Sequence, residues 1–421
     1  MKELKSICKD NHLKNYSALN KTELIAFIKK NKKKKQNKKK VGGVDGVLNR
    51  ETLLKFLGNI TEEQLIEETT IKLNEKDIKN IQPDTFKGLK NLQKLNLNYN
   101  QIETIESGAF NGLTKLEELY LEYNQITTIK PDIFSGSIGT FNRLNAGLRN
   151  LQKLGLSNNQ ITTVEPGIFN RLMNLQELDL RNNKITTIES GAFNRLRNLR
   201  ILILDNNQIT TIEPDTFKEL KNLQGLTLAK NQITIIQTNT FNELTNLIEL
   251  YLNENQITTI GHEAFNGLTQ LKGLYLDKNQ IKTIQPGAFN GLTNLVRLEL
   301  GHNKIVTIQP DIFNGLNILK KLVLKNNQIT TINPVETINN NTRGLFSELK
   351  ILMFLDLSGN KINTIKENTF DGINNLTNLK LILGKSNYDR NNIILNNNSV
   401  NYLKSLNITY IQKNKFYNNN N

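Results

Sequence analysis

Side chains able to do chemistry are few here, and they are scattered. The histidines His12, His262 and His302 lie far apart, and none belongs to a set of three or four cysteines, histidines and carboxylates at metal-ligand spacing of the kind a zinc site needs. The single cysteine, Cys8, has no histidine with which the sequence would pair it, and no Gly-rich phosphate loop or nucleophile elbow occurs. These residues predict no enzyme, no catalytic group, no metal and no cofactor. Two other residue sets invite a binding role. One is a lysine run, KKNKKKKQNKKK at 29–40, suited to phosphate polyanions. The other is a set of five tyrosines, Tyr99, Tyr120, Tyr123, Tyr251 and Tyr275, suited to anchoring a protein interface.

The elements that must position the tyrosines are repeats. From Leu92 the phrase LxxLxLxxNxIxxIxxxxFxxLxx returns at Leu116, Leu151, Leu175, Leu199, Leu223, Leu247, Leu271, Leu295, Leu319 and Leu352, mostly in steps of 24 residues. Fixed-period self-similarity decides the fold before local propensity does. In LxxLxLxxN the last two leucines alternate with variable residues, as in a short strand with one buried face. Stacking successive turns pairs these strands in parallel and buries the leucines in one continuous core. Position nine is Asn100, Asn124, Asn159, Asn183, Asn207, Asn231, Asn255, Asn279, Asn303, Asn327 and Asn360. Asparagine suits strands poorly, but a stacked Asn satisfies backbone donors and acceptors on two neighbouring turns. The following isoleucines and one Phe per turn (Phe110, Phe193, Phe265, Phe370) fill the rest of the interior.

Positions two, three, five, seven and eight of LxxLxLxxN point away from that core. All five tyrosines take them: Tyr120, Tyr251 and Tyr275 hold position five, Tyr99 and Tyr123 position eight. Strands ~4.8 Å apart set Tyr251 beside Tyr275 and Tyr99 beside Tyr123. Charges flank them, among them Glu118, Glu122, Glu249 and Asp277, and Asp179, Arg181, Arg297 and Glu299 share the face. The candidate protein-binding residues are therefore the five tyrosines with Asp179, Arg181, Arg297 and Glu299.

The pattern resembles the 24-residue typical class of leucine-rich-repeat proteins. The resemblance implies a curved horseshoe solenoid with a parallel sheet on its concave side, an asparagine ladder, a phenylalanine spine, and protein binding through the concave face. It covers residues 68–384, about eleven full repeats plus two end repeats. Two repeats are oversized, with extra residues after Phe134 and after Ile332; both insertions are expected on the convex or flank side. Residues 385–421 form a closing element and an Asn-rich tail, with KFYNNNN expected to be disordered.

Ahead of the repeats, residues 47–67 read as a helical cap. The second of its two short helices starts at Thr61, with Gln64 closing a capping box. Leu53, Leu54, Phe56, Leu57, Leu65 and Ile66 are expected to pack on the open end of the first turn, where Lys76 stands in the ladder position. Residues 31–46 form a basic flexible linker. Residues 1–30 carry Leu4, Ile7 and Cys8 on one helical face, then Leu24, Ile25 and Ile28 on a second helix after the Asn20–Glu23 capping box. This resembles the SAP or Rho-N-terminal helix–extension–helix module, which implies nucleic-acid contact. Lys29, Lys30, Lys32, Lys33, Lys34, Lys35, Lys38, Lys39 and Lys40 are the candidate contacts.

Charge is concentrated in the arm: residues 1–40 hold 14 Lys against 3 acidic residues, a net of +11 out of +15 for the chain. No apolar leader follows Met1 and no run is long enough to span a membrane. With one cysteine and no disulfide caps, the expected compartment is reducing, cytoplasm or nucleus, and the protein is not secreted. The richness in Asn, Ile and Lys fits an AT-rich coding genome, such as that of a protist or a large DNA virus. The expected function is a monomeric intracellular scaffold that binds a protein partner through the concave face. Two alternatives stand beside it: an adaptor tethered to nucleic acid by residues 1–40, and a substrate-recognition adaptor of a ubiquitin ligase.

Overall fold

The structure is a computed structural model and describes residues 46–134, 147–309, 311–332, 335–336, 342–374, 376–384, 395, 397–406, 409–412 and 415–417. The whole basic arm, with the module before it, and the insertion after Phe134 lie outside the described residues.

Among the described residues one fifteen-stranded sheet carries the fold, and its strand order follows the chain. From Lys94–Asn96 to Phe354–Asp356 each strand is three residues centred on the fourth-position leucine. Leu95 pairs with Leu119, Leu119 with Leu154, and the register continues through Leu226, Leu250 and Leu274 to Leu355. Every leucine of positions one, four and six from Leu92 to Leu357 is buried. Parallel pairing follows from the period: each turn makes a full circuit before laying its strand beside the last.

The ladder holds the turns that leave the strands. Asn231 is typical: its Nδ2 donates to Leu204 O at 3.0 Å and Leu228 O at 3.1 Å, and its Oδ1 accepts from Ile209 N at 3.1 Å. The same pattern of one acceptor and two carbonyls runs from Asn124 to Asn360. The residue before each ladder Asn, from Tyr99 to Asn326, takes φ of 52–57°. This left-handed step turns the chain off the sheet while its N–H still reaches the next turn, as Tyr99 N does to Glu122 O at 3.0 Å. Asparagine, tolerant of that region, fills it at Asn158, Asn182, Asn206 and Asn326; Tyr99 and Tyr123 are less natural occupants.

Opposite the sheet, buried phenylalanines stack at 6.1–6.5 Å from Phe86 to Phe289. The file resumes from Phe313 through Phe346 to Phe370 and ends on Tyr402, 6.4 Å from Phe370. Tyr402 belongs to the helix Asn397–Ser405, where buried Ser399 also accepts from Ile365 N. This helix closes the spine, a role the repeat pattern does not forecast.

At the other end two helices, Arg50–Phe56 and Glu62–Glu67, cap the first turn, each with a reciprocal capping box, Asn49–Thr52 and Thr61–Gln64. Leu53 and Leu65 are fully buried and Leu54, Phe56 and Leu57 pack against the core. Ile66 departs from expectation: it sits on the outer side of its one-and-a-half-turn helix and is 39% exposed. Val47–Leu48 adds a flank strand beside Asn80–Ile81.

Two further differences concern the C-terminal end. Leu381, not Leu379, stands opposite Leu355, so the last repeat is framed two residues later than the leucine spacing suggests. Leu379 is still buried, taken up by a short 3-10 turn at Leu376–Asn378. Lys415–Tyr417, expected to be disordered, forms a strand antiparallel to Thr409–Gln412 and ends the sheet. The insertion after Ile332 contributes an antiparallel pair, Val335–Glu336 with Thr342–Arg343.

Candidate functional site: the concave face

The outward positions of the strands make one continuous surface, and the sequence-selected residues fall on it in three groups. The first holds Tyr99, Tyr120 and Tyr123. Tyr99 and Tyr123 stack at 4.4 Å with rings 10° apart and are 51% and 47% exposed. Tyr120 is engaged differently: its hydroxyl donates to Glu118 Oε2 at 2.9 Å, and Lys94 Nζ lies 5.0 Å from the ring centroid while bonding the same carboxylate at 2.6 Å. Burial, then the Glu118 hydrogen bond, pushes the Tyr120 hydroxyl well above the usual phenol range.

The second group, Asp179 and Arg181, is self-contained. Arg181, two residues past the end of the strand Glu177–Asp179, donates from Nε to Asp179 Oδ2 at 2.8 Å, and that bond holds the guanidinium above its ordinary pKa. The backbone N–H of Arg181 also donates to Asp179 Oδ1 at 3.0 Å, so the turn leaving the strand brings the two side chains together.

The third group is the most extended. Tyr251 and Tyr275 stack at 4.3 Å, 2° from parallel, as adjacent position-five residues. Arg297 covers Tyr275 with its guanidinium 5.1 Å from the ring and donates to Glu299 at 2.7 Å. Glu299 also pairs with Lys321 at 3.1 Å, and Lys321 lies 5.1 Å over Phe354. A band of aromatic rings and cations thus crosses five turns. Burial first, then nearby Glu249, raises the Tyr275 hydroxyl out of the ordinary range.

The structure brings Tyr251, Tyr275, Arg297 and Glu299 together and sets Asp179–Arg181 and the first group apart from them. Sequence reasoning passed over Lys94, Lys321 and Phe354; all three occupy position three, beside the tyrosines' column. Of the half-buried carboxyls of position seven, it named Glu122 and Asp277 only as flanking charges and passed over Asp205. Burial raises Glu122, Asp205 and Asp277 above the usual carboxylate range, with like charges adding to it. Oε2 of Glu122 and of Glu249 is buried without a hydrogen-bond partner. Among the described residues no group of three metal-ligating side chains exists. His262 Nδ1 meets Pro286 O at 2.8 Å and His302 meets Asn326 at 3.2 Å, on separate parts of the surface.

A parallel-sheet solenoid with a mixed aromatic and charged inner face defines a repeat scaffold of the kind generally used to bind proteins. The chain belongs to the leucine-rich-repeat family: the description "Leucine rich repeat" matches residues 69–137, 149–209, 197–257, 245–305, 293–341 and 336–382. Residues 1–37 match "Rho termination factor, N-terminal domain", so a Rho-N-like module precedes the solenoid and includes most of the lysine run. No curated protein matches the chain.

Among solved structures, a leucine-rich-repeat protein of Leptospira interrogans is 28% identical, with a TM-score of 0.55 over 84% of this chain and 86% of that one. The Toll chain of the Drosophila Toll–Spatzle complex is 23% identical, TM-score 0.60, over 82% and 46%. The TLR13 chain of a complex with single-stranded RNA is 21% identical, TM-score 0.50, over 77% and 59%. This chain therefore spans about half the length of the two Toll-type chains. Proteins of this repeat family are typically scaffolds without catalysis, and no catalytic family matches.

Proposed function

We propose that this protein is an intracellular scaffold that binds a folded protein partner through its concave face, with Tyr251 and Tyr275 as principal anchors. The observation that carries the reading is their stack, extended by Arg297, on a sheet face that no other part of the described chain covers. Tyrosine and arginine are the side chains on which interface energy concentrates, being large, stiff and tipped with hydrogen-bonding groups. The Tyr99–Tyr123 pair is a second anchor. From the strand at Leu116 to that at Leu247 is five steps, ~24 Å, within reach of one standard interface of ~800 Å² per side. Affinity purification with the full chain, followed by mass spectrometry, tests this. A partner retained by the wild type and lost with Tyr251→Ala and Tyr275→Ala supports it, and a partner retained equally by both overturns it.

The match of residues 1–37 to the Rho-type module favours a second role for the arm. In this reading the module and Lys29–Lys40 hold nucleic acid through its phosphates while the solenoid carries the protein partner. The lone cysteine supports a reducing compartment for the whole assembly.

A further inference from the structure

Along the edge where the chain enters the strands runs a groove of about 680 Å³, spanning the turns from Gln93 to Asn246. It is separate from the tyrosine columns, being built from position two and from the residue just before position one. Six steps of ~4.8 Å give it a length of ~29 Å.

Position two holds Gln93, Gln152, Gln176 and Gln224 in register, because each backbone N–H donates to position two, or its counterpart, on the preceding turn. Gln176 N to Gln152 O is 2.8 Å, and Gln224 N to Arg200 O is 2.8 Å. The side-chain amides of these glutamines have no hydrogen-bond partner among the described residues. The opposite wall is a second asparagine file. Asn150, Asn198, Asn222 and Asn246 each tie Nδ2 to a backbone carbonyl of the previous turn, at 2.7–2.9 Å. That bond fixes the amide and leaves Oδ1 as an acceptor. The groove is thus a one-dimensional row of amides, with a fixed acceptor and a free amide on the same turn at Asn150 with Gln152 and at Asn222 with Gln224, while Glu117 and Arg200 take position two on two of the other turns.

Its chemistry narrows the ligand. Lys115, Glu117 and Arg200 are the only charged lining residues, two against one, so a polyanion lacks the cations it requires. Apolar and aromatic side chains are absent from the lining, so there are no pockets for the alternate side chains of a bound peptide strand. An extended peptide also repeats at roughly 6.6 Å per two residues against ~4.8 Å per turn, and loses register within a few turns. An extended, equatorially linked pyranose chain carries hydroxyls that both donate and accept, bears no charge, and repeats near the spacing of the turns. The amide array stops where position two becomes apolar, at Ile248 and Val296. We infer that this groove binds a neutral oligosaccharide lying along the solenoid axis, about one sugar per turn.

The full-length chain titrated with cellohexaose, cellobiose and an uncharged Gly-Ser hexapeptide, followed by calorimetry, tests it. Saturable binding of cellohexaose is expected, unchanged between low and high salt. Cellobiose, touching fewer turns, should bind more than about tenfold more weakly. Gln152→Leu with Gln176→Leu should weaken cellohexaose by about tenfold or more, since the sugar hydroxyls lose their partners, with the circular dichroism spectrum unchanged. Tyr251→Ala with Tyr275→Ala should bind the sugar as the wild type does, so the groove and the tyrosine anchors succeed or fail separately. No saturation with cellohexaose, binding indifferent to the glutamine pair, or tighter capture of the peptide would each overturn the assignment.

Discussion

The carboxylate of Glu122 lies across the backbone of Gly155 on the neighbouring strand, in the space where a β-carbon at that position would stand. Position five of that turn must therefore lack a side chain for Glu122 to adopt this pose. Its Oε2 is buried there without a hydrogen-bond partner, and burial holds the carboxyl above the usual range. Glu249 repeats the arrangement over Gly273.

The raised Glu122 carboxyl makes stability depend on pH with a definite sign. The folded state favours the protonated form, so its contribution is fully present below the unfolded Glu value, ~4.3, and fades as pH rises through the higher folded value. Glu122→Gln should raise the melting temperature at neutral pH, and the gap over wild type should close below about pH 4. A gap that is constant from acid to neutral pH would show that Glu122 does not titrate in this way.

The ladder can be tested in the middle of the array. Asn231→Leu removes the partners of Ile209 N, Leu204 O and Leu228 O. Each orphaned buried group is worth ~1–3 kcal/mol, so chemical denaturation should register a loss of several kcal/mol. An unchanged denaturation midpoint would contradict the bonding described for this position.

For the concave face, Tyr251→Ala with Tyr275→Ala should weaken the protein partner by more than ~2 kcal/mol, the usual threshold of a hot spot. Both side chains are half-buried on the concave face and lie outside the core, so the melting temperature should move little. Glu213→Ala with Asp215→Ala, two exposed positions away from the sheet, serves as the control and should bind normally. Loss of binding in the control alone would move the working surface to the outer side.

The arm is tested by salt. If Lys29–Lys40 neutralise phosphates, affinity for duplex DNA should fall linearly on a log–log plot against salt, by ~0.9 per phosphate contacted. Deleting residues 29–40 should abolish binding. DNA retention by the deleted protein would place the contact outside the lysine run.

The leucine, asparagine and phenylalanine columns were all legible in the sequence, and the structure bonds and stacks them as the period requires. A buried position that recurs every 24 residues leaves one way to stack, so spacing alone fixes strand order, register and which residues face outward. Tyr251 and Tyr275 could be set side by side for that reason. Tyr402 could not be foreseen as the end of the Phe file, because a closing element breaks the period that makes its neighbours readable. The frame of the last repeat slipped for the same reason: near Leu379 three leucines at alternate positions fit two frames, and only pairing with Leu355 selects one. On the surface, period gives adjacency and not conformation. Arg297 folding onto Tyr275, Glu122 lying over Gly155, and asparagine and glutamine amides facing each other across a groove depend on rotamers chosen against neighbours one turn away. The chain's local pattern determined the scaffold, since backbone and core must satisfy every turn alike; the tertiary structure decided the surface, since there each side chain answers to its own neighbours.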